Sequence, residues 1–249
     1  MRPTPPSLPR RLLAEFLGTA LLVAVVVGSG IAAQQLSPHD VGLQLLENST
    51  ATVLGLTVLI LLFGPLSGAH FNPVVSAADW WLGRRTGHGL TLPDVGAYSL
   101  VQVLGAIAGS VLANAMFEVG TSISTKDRAT GGHLLAEVVA TTFLLVLIFA
   151  LVRSGRGAIA APAVGAYIGA AYWFTSSTAF ANPAVTIGRV FSDTFAGIAP
   201  GSAAAFIAAQ LIGLAVGVGV TLGLYPDASE SADDVVIPHP AQASPRSQP

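Results

Sequence analysis

The chain has 249 residues, 52% of them hydrophobic and 10% charged, too apolar for a water-soluble domain and suited to a bilayer. Its formal net charge of −2 and pI near 6.2, with no basic patch or stripe, exclude a general nucleic-acid binder. The lack of any cysteine rules out disulfides, thiolate metal sites and cysteine nucleophiles.

Residues 1–10 read as a cytoplasmic N-terminal tail, with Arg2, Arg10 and Arg11 ahead of an apolar stretch that resembles a signal peptide at first sight. The stretch runs on towards Ala33, longer than such a segment needs, and reads instead as a first membrane helix. A hydrocarbon core about 30 Å thick takes roughly 20 apolar residues to cross. On that measure spans fall near residues 12–33, 50–65, 95–117, 133–153, 158–175 and 201–224. Two further apolar segments, after Asn72 and after Asn182, are too short to cross. Each begins at Asn-Pro, which reads as a helix cap followed by proline at the first helical position. The expected fold is therefore an all-α membrane protein of six transmembrane helices and two half-helices that enter from opposite sides.

The halves, about 11–117 and 133–224, echo one another: Ala14-Glu15 opens the first span and Ala136-Glu137 the fourth, each ahead of its Asn-Pro segment. Three spans per half reverse the second copy, giving an inverted repeat whose half-helix ends meet near the midplane. Non-helical backbone at that depth is tolerated only against protein or a watery cavity, so the loops before Asn72 and Asn182 imply a pore or substrate site. Arg2, Arg10, Arg11, Arg84, Arg85, Arg153 and Arg156 fall on one side, against Lys126, Arg128 and Arg189 on the other, which puts both termini in the cytoplasm. Residues 225–249, rich in Pro, Ser, Ala and Asp, read as a disordered cytoplasmic tail.

Each half-helix presents roughly half a positive charge at its N-terminus, so two facing ends repel cations from the centre. The Asn72 and Asn182 amides can donate to a passing oxygen. Glu15 and Glu137 lie in apolar spans, where a charge costs about 2.5 to 3.5 kcal/mol; they are either a proton relay or acceptors for the irregular backbone before each half-helix. His70 is either a pH switch or a tie for its loop. Gln102 and Gln210 either face the pore or bond the half-helix loops. Gly105, Gly109, Gly213 and Gly217 stand in GxxxG spacing and suit close helix crossings. No nucleophile-base grouping and no metal-ligand cluster is legible, so no enzyme, cofactor or metal is expected.

AEFLGT at 14–19, SGAHFNPV at 67–74 and FANPAV at 180–185 resemble the aquaporin and aquaglyceroporin superfamily over the whole chain apart from its tails. The resemblance implies a homotetramer with pore motifs at Asn72-Pro73-Val74 and Asn182-Pro183-Ala184, the first carrying valine in place of the usual alanine. It also implies an outer constriction in which most relatives place an arginine directly after the second motif. This chain has Val185 there. Counting from the motifs without gaps, the other constriction positions resemble Thr52, Ala170 and Ala179. A two-residue slip would substitute Leu54 or Tyr172. Those four small or medium residues predict a wide, apolar filter with no fixed cation. Arg189 lies one helical turn past Val185, but the family pattern gives no reason to place it in the filter. The valine at this place is similar to a bacterial subgroup associated with arsenic-resistance genes and with neutral and methylated arsenicals.

The resulting expectation is a passive channel in a bacterial inner membrane for small neutral solutes: metalloid hydroxides, methylated arsenicals, glycerol or water. An ion-coupled transporter using Glu15 or Glu137, and a non-conducting structural protein, are the alternatives.

Overall fold

The computed structural model describes residues 6–84 and 89–226. Arg2, Arg85 and residues 227–249 lie outside the described residues. The described elements are α1 (Leu8–Leu36), α2 (Val41–Ser67), α3 (Pro73–Gly83), α4 (Leu92–Met116), α5 (Gly131–Arg153), α6 (Ala160–Phe174), α7 (Pro183–Gly188) and α8 (Pro200–Leu224). Short 3-10 turns at Gly157–Ile159 and Arg189–Phe191 lead into α6 and follow α7. Six of these helices, α6 with its leading turn, are long and apolar enough to cross a membrane, and α3 and α7 are the two half-helices.

The first half comprises α1 to α4 and the second α5 to α8. Within each half the first helix packs on the second and fourth, α1 on α2 and α4, α5 on α6 and α8. The halves join through α2 against α6 and through each half-helix against the other half, α3 on α8 and α7 on α4. Arg11 lies 3.7 Å from Asp94, so the starts of α1 and α4 share one end of the molecule. The segments 118–130 and 192–199 lie together at the other end, where the Thr125 N–H donates to Asp193 over 2.9 Å. That bond is the main cause holding the Asp193 carboxyl below its ordinary range.

Crossing distances within each half are set by glycine. A Cβ on Gly105 or Gly109 would overlap the carbonyl oxygens of Phe16 and Ala20, so α4 lies backbone to backbone on α1. Gly213 and Gly217 play the matching part for α8, where a Cβ would meet the Val138 and Thr142 carbonyl oxygens at 2.9 and 3.1 Å.

One boundary differs clearly from expectation. α2 begins at Val41, nine residues before the apolar run suggested, because its polar first turns are satisfied. Asp40 Oδ1 accepts the Leu43 N–H at 2.9 Å. Gln44 donates to Ser37 O at 2.8 Å, and Asn48 donates to Val26 O and Ser29 Oγ at 2.9 Å each. A hydropathy window counts these amides as loop, whereas each one has a buried partner on the preceding segment.

Candidate functional site: a cavity between two facing half-helices

Each half-helix starts where its sequence dictates. The side-chain Oδ1 of Asn72 accepts the Val74 N–H at 3.1 Å; that of Asn182 accepts the Ala184 and Val185 N–H groups at 3.0 and 3.2 Å. Pro73 and Pro183 occupy the first helical positions, where no N–H is needed. The amide nitrogens then cross the repeat: Asn72 Nδ2 donates to Ala181 O at 2.8 Å and Asn182 Nδ2 to Phe71 O at 2.7 Å. Each asparagine thus caps its own helix and ties down the other half's loop. One of the two hydrogens on each amide nitrogen remains, and both side chains line the cavity.

The loops ahead of the caps are bent by residues that disfavour the shape. Ala69 and Phe71 have φ of 50° and 49°, and Ala179 and Ala181 have 48° and 46°. A left-handed non-glycine residue costs about 1 kcal/mol or more. Buried carboxylates hold this shape. Glu15 accepts the N–H groups of His70 and Phe71 at 3.0 and 2.7 Å, the Ser67 hydroxyl at 2.6 Å and the Gln102 amide at 2.8 Å. Glu137 accepts the N–H groups of Phe180 and Ala181 at 2.9 and 2.8 Å and the Gln210 amide at 2.6 Å. Both carboxylates are 0% exposed, and neither lines the cavity. Gln102 and Gln210 also donate to Ser76 and Thr186 on the half-helices, at 3.2 and 3.0 Å. Gly18 makes room for this, because a Cβ there would overlap the Phe71 ring.

The cavity encloses about 280 Å³ and runs past both asparagines. Its lining includes apolar side chains of the membrane helices, Leu22, Leu56, Ile148 and Ile168 among them. It also includes the bent loops, Gly68 to Asn72 and Ala179 to Asn182. The N–H groups of His70, Phe71, Phe180 and Ala181 are committed to the carboxylates, while the carbonyls of residues 69, 70, 179 and 180 accept nothing among the described residues. The lining therefore combines hydrogen-bond acceptors and two amide donors with hydrocarbon surface.

The remaining sequence-derived positions separate clearly. Val74, Pro73, Pro183 and Ala184 start the half-helices without lining the cavity, and Val74 packs instead with Phe149 and Val218. His70 lines the cavity, with Nδ1 3.0 Å from Ser76 Oγ and Nε2 without a partner among the described residues. Thr52, Ala179 and Val185 all line it and are 2%, 4% and 6% exposed.

Ala170 does not fit its expected place. It is exposed and outside the lining, and Tyr172 is there instead, with its hydroxyl 3.2 Å from Thr52 Oγ1. The reason is helical period: Ala161, Val164, Ile168 and Tyr172 follow one another at three and four residues along one face of α6, which leaves residue 170 on the opposite face. Leu54, by contrast, is 63% exposed and outside the lining. A second correction concerns the charge of this end. Arg189 is buried and lines the cavity, so the lining near Val185 is neither wholly apolar nor without a cationic side chain. The signal was present in its four-residue spacing from Val185, which returns a helical side chain to the same face.

The chain matches the Major intrinsic protein family over residues 4–179. It is 49% identical to the aquaglyceroporin AqpS of Rhizobium meliloti over 208 residues, 83% of this chain and 86% of that one. It is 32% identical to the glycerol uptake facilitator protein of Pseudomonas aeruginosa over 78% of each, and 30% identical to aquaporin Z of Brucella melitensis over 86% of this chain and 97% of that one. Among solved structures, the aquaglyceroporin from Plasmodium falciparum superposes with a TM-score of 0.63 at 23% identity, covering 88% of this chain and 96% of that one.

Proposed function

The chain belongs to the Major intrinsic protein family, and on that premise we propose that it is a passive membrane channel for small uncharged hydroxylated solutes. Glycerol and neutral metalloid species, methylated arsenicals among them, are its candidate cargo. The observation that carries this reading is the mixed lining of the cavity, hydrocarbon side chains together with loop carbonyls and the two asparagines. A polyol or a methylated hydroxy-arsenical carries hydroxyls and carbon-bound hydrogens together. Its hydroxyls can bond successively to the loop carbonyls and to Asn72 and Asn182, while its apolar side slides along Leu56, Ile148 and Ile168. Relatives described as an aquaglyceroporin and a glycerol uptake facilitator support the same class of solute.

The ion-coupled alternative finds no support. Glu15 and Glu137 are each saturated by donors and sealed from the cavity, so neither can load a proton from the pore. Orientation follows from the arginines. Arg10, Arg11, Arg84, Arg153 and Arg156 belong to the end where α1 starts, which is read as cytoplasmic, with the Arg189 end facing outward. Assembly as a homotetramer rests on family resemblance.

Stopped-flow light scattering on proteoliposomes tests the proposal with glycerol, arsenite and methylarsenite. Each should cross faster than in empty vesicles, and a panel in which none does would end the channel reading. Val185→Arg should lower glycerol and methylarsenite flux by about tenfold, because it adds bulk and a charge to the cavity end, while water falls less. Equal loss for water and the larger solutes would place the constriction elsewhere.

A further inference from the structure

At the Arg189 end, the position directly after the second Asn-Pro-Ala is an uncharged valine, yet a guanidinium still enters the cavity from one turn further on. Its placement is built in several ways. Arg189 Nε donates to Ala196 O at 2.5 Å, and the guanidinium carbon lies 3.5 Å from the centroid of the Phe180 ring. The segment that supplies this carbonyl is itself fixed by a second arginine, since Arg128 donates to Gly197 O and Phe195 O at 2.8 and 2.9 Å. Three consecutive carbonyls, of Phe195, Ala196 and Gly197, thus hold two arginines. No carboxylate lies within ion-pair distance of Arg189 among the described residues. One of its five N–H groups is committed to Ala196, and the other four have no protein acceptor there.

We propose that Arg189 is the specificity-determining cation of the outer constriction, repelling cations and donating to solute hydroxyls from one helical turn beyond the position that Val185 leaves uncharged. The inference rests on the channel reading. A full charge at this end of the cavity outweighs the half-charges of the two helix ends, which the asparagine side chains already cap. Setting the cation one turn away frees the level of Val185, so that charge selection and bulk selection occur at different depths. A filter of this kind rejects cations while admitting a neutral solute with a methyl group.

The test compares methylammonium and glycerol flux in the same proteoliposomes. For Arg189→Leu the methylammonium-to-glycerol ratio should rise at least about tenfold. Arg189→Lys, which keeps the charge and loses the planar fork, should hold the ratio near wild type. The double substitution Val185→Arg with Arg189→Leu should restore exclusion. Should Arg189→Leu fail to reconstitute, Arg189→Gln carries the same expectation with a polar side chain of similar reach. An unchanged ratio in a conducting Leu or Gln variant, or a Lys variant that leaks like Leu, would reduce Arg189 to a brace for the 195–197 segment. Wild-type vesicles that pass no neutral solute would instead overturn the channel reading itself.

Discussion

Replacing Glu137 by leucine should lower the thermal unfolding midpoint in detergent by about 10 °C or more, with Glu15→Leu behaving alike. Leucine is close to glutamate in volume, so the loss comes from the donors rather than from a hole. Without the carboxylate, the Phe180 and Ala181 N–H groups and the Gln210 amide are left buried and unpaired, at about 1 to 3 kcal/mol each. The left-handed bends at Ala179 and Ala181 also lose the contacts that hold them. Glu137→Gln should recover part of the loss, because its oxygen still accepts from one or both of these N–H groups. A leucine variant that melts with wild type would mean that water reaches these loops and satisfies them. Such water would reopen the proton-relay reading.

Asn182→Leu should reduce glycerol flux by at least about tenfold and exceed the effect of Asn72→Leu. Asn182 caps two N–H groups of a helix only six residues long, whereas Asn72 caps one N–H group of an eleven-residue helix. Both substitutions also remove the cross-tie to the opposing loop, so that part of the cost is shared and the difference isolates the caps. Proteoliposome flux normalised to reconstituted protein measures it. Asn72→Leu proving the more damaging would show that the first loop, with Phe71 wedged against Gly18, depends on its tie more than the second helix depends on its cap.

Much of this was legible in the sequence because the bilayer leaves few options. Apolar length located six spans, and Asn-Pro located the half-helix starts, since a capping side chain followed by a residue without an N–H has few other uses at membrane depth. The matched positions of Glu15 and Glu137 carried the inverted repeat. What failed was register. Ala170 was reached by counting back from a motif across a turn, and such a count has no knowledge of how far α6 rotates before Thr175. The spacing of Ile168 and Tyr172 within the helix was the better guide. The start of α2 was missed because Gln44 and Asn48 read as solvated until their acceptors on α1 and the turn after it are known. Arg189 has no place in the family pattern, yet helical geometry brings it to the face of Val185, since both follow from the one cap at Asn182.

The tie from Asn72 to Ala181 also bears on how the protein is made. The two partners are 109 residues apart, and at translation rates of roughly 5 to 20 residues per second Asn72 is synthesised on the order of 5 to 20 s before its acceptor exists. During that interval the first half is already in the translocon or bilayer with its re-entrant loop unlatched. The first half-helix therefore acquires its final seat only when its counterpart arrives from the other side.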